Sequence, residues 1–398
     1  MSSSWPGGDA ATDTGVGPVV VTGRAGAIPT ALLRCAAWQR PAGRVRLLLH
    51  DERDGHGDRT APADGKAPAR GEADTGGEAD TGGEADTGDE APVRHVDLSS
   101  PELATHLRGA HTVIHVAVGT DVEAEQAVSA AERRAQSVRF AQTVLTSAVA
   151  VGVRQVLVIT SARVYGARPD NPVPLSESDP IRPAPEAGVA MDLVAVEDVV
   201  DRARSTYPGV RFVLVRPAAV VGEGTDTPVD RHFAAPRLLT IRDTEPLWQF
   251  VHVEDLASAV ATVVQDGLGP VVNVAAPGWL TQEEVEEISG MRRIEVARSI
   301  AFGTAQRLHQ VGLLRSPAAD LDFVAHPWVV DTKPLREAGW AAEYDNEACL
   351  RALLEGLEGF SIALPTVRKD AALGAASAAV AMVATAAIMR RRRRKGGS

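Results

Sequence analysis

The sequence predicts an α/β fold in which a doubly wound parallel sheet is covered by helices on both faces and joined to a smaller C-terminal α/β substrate lobe. Three observations lead there. Apolar, β-branched runs recur between helical segments along most of the chain. Those runs are apolar on consecutive positions, as strands buried on both faces are, rather than alternating. A glycine turn joins the first run to the first helix. With 398 residues, 44% of them hydrophobic and 23% charged, the chain can bury a sizeable core, which excludes disorder throughout.

The elements follow in order. GPVVVTG at 17–23 reads as the first strand, Thr30 to Trp38 as a helix, and RVRLLLHD, ending at Asp51, as the second strand. Residues 71–88 are three identical copies of GEADTG without a large apolar side chain, and between Asp51 and Glu90 thirteen acids face four Lys or Arg. Such a segment cannot offset its ordering entropy, so 53–91 is expected to be a disordered acidic insertion. VRHVDL is a short strand, PELATHLRG a helix, HTVIHVAV a buried strand, 122–152 one long helical segment, and RQVLVITSA another strand. A helix from about Leu193 to Thr206 precedes RFVLVRPAAVVG. Beyond Gly222 come WQFVHVEDLASAVATVVQ, the strand PVVNVAA, the helix TQEEVEEISG with Thr281 and Glu284 spaced as a capping box, and a late helix from Asn346 to Leu357. The expected organisation is a disordered N-terminus (1–16), a doubly wound α/β domain (17–221) carrying the insertion, a smaller lobe (222–360), and an Ala-rich tail with a basic end (361–398).

Charge and cysteine content exclude several functions. The net charge of -11 gives no cationic face for phosphate backbones, so nucleic acid is not an expected partner. Cys35 and Cys349 are the only cysteines, too few and too far apart for a disulfide framework or a cysteine zinc site, and no metal is expected. The first residues carry neither cations nor an apolar run, so no secretory leader is read and the bulk of the chain is expected in the cytosol. Ala371 to Met389 is uncharged over nineteen residues, ten of them alanine, and is followed by six cations, Arg390 to Lys395. This tail either contacts an anionic membrane surface or is a solvated end; its alanine content makes a true span marginal.

The first strand runs into Gly23-Arg24-Ala25-Gly26-Ala27-Ile28-Pro29 and then a helix. In such a loop the first glycine allows the turn and the second lets a pyrophosphate approach the backbone, while the helix N-terminus supplies unpaired N–H groups. Pro29 takes the place of the usual third glycine; proline is tolerated in a first turn. Asp51, at the end of the second strand, can accept hydrogen bonds from a ribose, which favours NAD over NADP, while Arg53 pulls the other way.

Five segments in this order resemble the extended short-chain dehydrogenase/reductase superfamily, the group that includes NAD-dependent nucleotide-sugar epimerases and dehydratases. VVVTGRAGAIP resembles its TGxxGxxG loop, and HVDLSSPELATHLRGAHTVIHVAV its third and fourth strands. VRQVLVITSARVYG resembles the strand and turn bearing the active-site hydroxyl, VLVRPAAVVGEG the RPxxVYGPG segment, and FVHVEDLASAV the VHVDDVA segment. The resemblance implies a Rossmann fold and a cofactor site formed by Gly23, Arg24, Gly26, Ala27, Ile28, Asp51, Asp97, Ala117, Thr160, Arg216 and Pro217. It implies Ser161 as the catalytic hydroxyl, a nucleotide-linked small molecule as ligand, and leaves a homodimer as a candidate assembly. By contrast, His115 reads as a core histidine, Tyr165 as a packing residue, and His252 and Asp255 as strand-end packing and a helix cap.

The superfamily's reaction rests on Tyr-x-x-x-Lys, in which the lysine lowers the tyrosine's pKa. Aligning the glutamate that follows that pair with Glu197 puts Val189 and Leu193 at the two positions. Tyr165, Tyr207 and Tyr344 are followed four residues later by Pro169, Arg211 and Ala348, so no tyrosine has the required lysine. Two functions follow: a catalytically silent protein that senses NAD or a nucleotide-linked ligand, or an enzyme using another base, with Asp192 and Glu186 as candidates.

Overall fold

A computed structural model describes residues 17–35, 45–50, 93–121, 128–314, 316–363, 379–381 and 383–384. The expected acidic insertion, the N-terminal segment and Asp51 lie outside the described residues.

Six strands lie in the first part of the chain, with a described helix in each interval except that between β2 and β3: β1 (Val19–Gly23), β2 (Val45–His50), β3 (Val93–Val96), β4 (Thr112–Val116), β5 (Gln155–Ile159) and β6 (Arg211–Pro217). The C-terminal part contributes β7 (Ala219–Val221), β8 (Leu238–Ile241), β9 (Leu247–Trp248), β10 (Phe250–His252), β11 (Val271–Val274), β12 (Leu280–Thr281) and β13 (Arg293–Val296). The main sheet has seven strands in the order β11-β6-β5-β4-β1-β2-β3. Every pairing within it is parallel. The chain winds outward from β1 in one direction and from β4 in the other, so the order reverses between β1 and β4, with Gly23 in register with Val116. Ligands of open α/β sheets bind beyond the strand ends at this reversal.

Consecutive side chains on these strands point to opposite faces, which is why the strands read as unbroken apolar runs. On one face Val19, Val21, Leu47, Ile114 and Leu157 pack with Ile28 and Leu32 of helix α1 (Ala27–Arg34). On the other, Val20, Leu48, Val113, Val156 and Leu214 pack with residues of three helices. These are α2 (Leu103–Leu107), α3 (Ala130–Ala150) and α4 (Gly188–Thr206).

The helix starts differ from expectation. Helix α1 opens at Ala27, and Pro29 sits inside its first turn, where a missing N–H costs nothing. Helix α3 opens only at Ala130, because Ser129 and Glu132 form a reciprocal capping box there. Helix α4 opens five residues before Leu193, at Gly188, with no side-chain cap at Ala187 to mark its start.

Most of the remaining elements surround a separate apolar cluster. The remaining elements are helices α5 (Pro228–Phe233), α6 (Val253–Gln265), α7 (Gln282–Ser289), α8 (Arg298–Gln310), α9 (Lys333–Glu337) and α10 (Asn346–Ala363), with a 3-10 turn at Ala318–Val324. The expected Thr281–Glu284 capping box is present at the start of α7. Helix α6 belongs to the core of the main sheet, whereas Phe233, Leu239, Trp248, Phe250 and Leu321 form the separate cluster. Ala379, Val380 and Ala381 of the tail are buried in that same cluster. Among the described residues no helix is long and apolar enough to cross a membrane.

Candidate functional site

At the strand-order reversal lies a small pocket lined by Gly23, Arg24, His115, Ala117, Ser137 and Phe140 among others. The loop after β1 is shaped by close approaches. A Cβ on Gly23 would lie 3.1 Å from both the Cβ and the carbonyl oxygen of Val116, so a side chain there would push against β4 by a few tenths of an ångström. A Cβ on Gly26 would lie 2.8 Å from Oγ1 of Thr120. Gly23 and Gly26 flank Arg24 and Ala25, and the loop runs at once into the N-terminus of α1, the arrangement at which a diphosphate can meet backbone N–H groups, with Pro29 inside the helix's first turn.

Arg24 reaches over the Phe140 ring, 5.6 Å from its centroid, and hydrogen-bonds Gln136. Ala27 and Ile28 are buried at the start of α1. Asp97 follows β3; its Oδ1 accepts from the Ser99 amide at 2.8 Å and the Ser99 hydroxyl at 2.6 Å. Burial works against its charge, and the Ser99 hydrogen bonds outweigh that to hold the carboxyl below its ordinary value. His115 is the core histidine its strand suggests: its Nδ1 lies 3.1 Å from Thr22 Oγ1, and burial pushes the imidazole down to about 4.

Beneath the ends of β5 and β6 lies a buried polar network. Arg216 binds Glu197 through Nε to Oε1 at 3.1 Å and Nη2 to Oε2 at 2.6 Å. Its Nη1 donates to Tyr165 Oη at 2.8 Å, and that hydroxyl donates to Asn273 Oδ1 at 2.9 Å. Thr160 Oγ1 donates to Glu197 Oε1 at 2.7 Å. Burial opposes the Arg216 charge, but Glu197 more than compensates and raises its pKa. Burial raises the Tyr165 phenol as well, so it is no readier to ionise than a free one. The side chains of Thr160 and Arg216, expected beside a cofactor, are thus turned inward onto Glu197. Pro217 O lies 3.5 Å from the Ser161 hydroxyl, which also caps the following turn by accepting from the Arg163 amide.

Along α4, Leu193 is buried and Val189 only partly so. The Asp192 carboxylate accepts from Arg133 Nε at 2.6 Å and from Arg134 Nε at 2.8 Å. Glu186 lies exposed before the helix. His252 caps α6 and stacks on Tyr344 at 3.8 Å, while Asp255 accepts from the Glu343 and Tyr344 amides. Thr120, Asn273 and Asp320 escaped the sequence reading. Each acts on a partner about a hundred residues away or more, Asp320 on Arg163 at 3.5 Å, and no local spacing marks them.

A parallel sheet with a glycine-lined loop at its reversal defines a dinucleotide-fold protein of the Rossmann class. The sequence matches the NAD dependent epimerase/dehydratase family over residues 19–275, and the chain belongs to that family. Among curated proteins, uncharacterized proteins of Mycobacterium tuberculosis and Mycobacterium bovis are 26% identical over 186 residues, 46% of this chain and 49% of theirs. The chain thus spans about half the length of the curated relatives it matches. Among solved structures, a dTDP-glucose 4,6-dehydratase of Streptomyces venezuelae with NAD bound superimposes with a TM-score of 0.60 at 19% identity, covering 87% of this chain and 98% of that one. A UDP-glucose 4-epimerase of Thermotoga maritima with UDP-glucose gives a TM-score of 0.58 at 14% identity, covering 86% and 99%. At these identities the likeness is one of fold.

Proposed function

We propose that the protein binds NAD, in preference to NADP, in the crevice between β1 and β4 and responds to it as a sensor of cofactor or nucleotide-linked ligand, without the family's usual proton transfer. NAD, when bound, supplies a hydride acceptor. The chain's own contribution would be the Gly23–Gly26 loop for the diphosphate, Ala117 lining the crevice, Asp97 after β3 for the adenine side, and a C-terminal lobe to hold a nucleotide-linked small molecule.

One observation supports the silent reading: on the helix where alignment on Glu197 assigns Val189 and Leu193 to the base positions, the Asp192 carboxylate is bonded by two arginines. Both oxygens of that carboxylate already accept from arginine side chains, so a substrate hydroxyl would have to compete with them for the same atoms. The buried phenol of Tyr165 supplies no substitute.

Calorimetric titration with NAD and NADP, followed by incubation with NAD and a panel of UDP- and dTDP-sugars, tests this. Binding of NAD with neither reduced nicotinamide nor altered sugar is expected. Turnover that disappears in Asp192→Ala would replace the sensor with an enzyme using a non-standard base.

A further inference from the structure

The first N–H groups of a helix have no intrahelical partner, and a diphosphate bound at such an end takes them as donors. In this protein the first of them is already engaged. The Ala27 amide, which opens α1, donates to Oγ1 of Thr120 at 3.3 Å. The same hydroxyl lies in the space left by the missing side chain of Gly26, 2.8 Å from where a Cβ would stand. That is the approach which the second glycine of such a loop keeps open for a pyrophosphate.

Thr120 is held from behind. Its carbonyl accepts from the Asp226 amide at 2.8 Å, and Asp121 pairs with Asp226 in an isolated bridge. The Asp226 carboxylate is in turn ion-paired to the buried Arg231. The same segment reaches the helix itself: a Cβ on Gly224 would lie 3.9 Å from that of Ala27. Two stretches of chain, one following β4 and one following β7, thus meet over the start of α1.

We infer that the Thr120 hydroxyl is a built-in stand-in for the cofactor's diphosphate: it occupies the anion position at the head of α1, and cofactor entry displaces it from the Ala27 amide. This rests on the proposed binding of a dinucleotide and adds the residue that competes with it. The donor freed by displacement passes to the incoming phosphate oxygen, so the cofactor gains a bond only by breaking one.

The test is calorimetric titration of the full-length chain with NAD, for wild type, Thr120→Ala, Thr120→Val and Thr120→Ser, with melting curves confirming that each is folded. Removing the competing acceptor in the Ala and Val variants is expected to tighten binding by about two- to tenfold, the worth of one neutral hydrogen bond, while Ser retains wild-type affinity. The valine variant keeps the volume of threonine, so it decides the matter if alanine loosens the loop. Equal or weaker binding by both Ala and Val overturns the inference and leaves the dinucleotide reading standing. Absence of NAD binding in wild type and all variants overturns both.

Discussion

Arg216 and Glu197 form a buried ion pair with side chains 5% and 2% exposed. Such a pair adds little over apolar residues of the same volume, yet breaking it strands one charge in the interior. Glu197→Leu alone is therefore expected to cost about 3–5 kcal/mol in urea unfolding, and Glu197→Leu with Arg216→Met to recover most of that. If the double variant is no more stable than the single one, Arg216 is held by something other than Glu197. His232 is a different case: its ring nitrogens are buried without partners, it stacks on Trp248 at 5.2 Å, and burial pushes it down to about 4. With an unfolded pKa of about 6.5, the unfolded chain takes up a proton that the fold refuses, so this contribution is intact above about 6.5 and lost as pH falls toward 4. His115 acts in the same direction. Asp230 opposes both: burial pushes it up to about 6, so its contribution is present below the ordinary carboxylate range and lost as pH rises through about 6. His232→Phe keeps the stacking and removes the titrating nitrogens, so the fall in Tm between about pH 7 and pH 4.5 is expected to shrink in thermal melts. An unchanged fall would mean that the ring is solvated or charged in the fold.

At the scale of elements, helix α3 delivers Arg133 and Arg134 to Asp192 from its first turns, and the Ser129–Glu132 box determines where those turns begin. Ser129→Ala is expected to cost about 1 kcal/mol in denaturant unfolding and to speed amide exchange through residues 130–134, loosening the grip on Asp192. Exchange unchanged there would show that packing against α4 alone holds the first turn. The two capping boxes also show what was legible. Thr281-x-x-Glu284 stands out after a loop, whereas Ser129-x-x-Glu132 follows VEAEQAV, whose residues are themselves good helix formers and hide the true start. The early start of α4 was not legible at all. No capping side chain marks its start after Ala187, so no adjacent residue signals it.

For the whole molecule, the strand sequence and its two-sided burial were written in consecutive apolar runs, and the glycine loop in adjacent residues, because both are local patterns. What closes over the loop was not, since Thr120 and Asp226 come together only through tertiary packing. The tail shows the same limit. Read alone, the uncharged Ala-rich stretch suggests an anionic membrane or solvent, but Ala379, Val380 and Ala381 are 0–2% exposed and part of the C-terminal apolar cluster, with Ala384 packed against it. The cationic end itself lies outside the described residues. If these three residues belong to the core, a chain ending at Thr366 leaves their seat open to water. Burying one valine with small neighbours is worth about 1.5–3 kcal/mol, so the shortened chain is expected to unfold at lower urea by that amount and to bind a hydrophobic dye that the full chain excludes. Sedimentation with anionic vesicles at low salt distinguishes the alternative. If the tail's place is on a membrane, shortening it abolishes vesicle binding and leaves stability untouched. If it completes the core, stability falls, and a vesicle must first extract buried side chains before it can hold the tail.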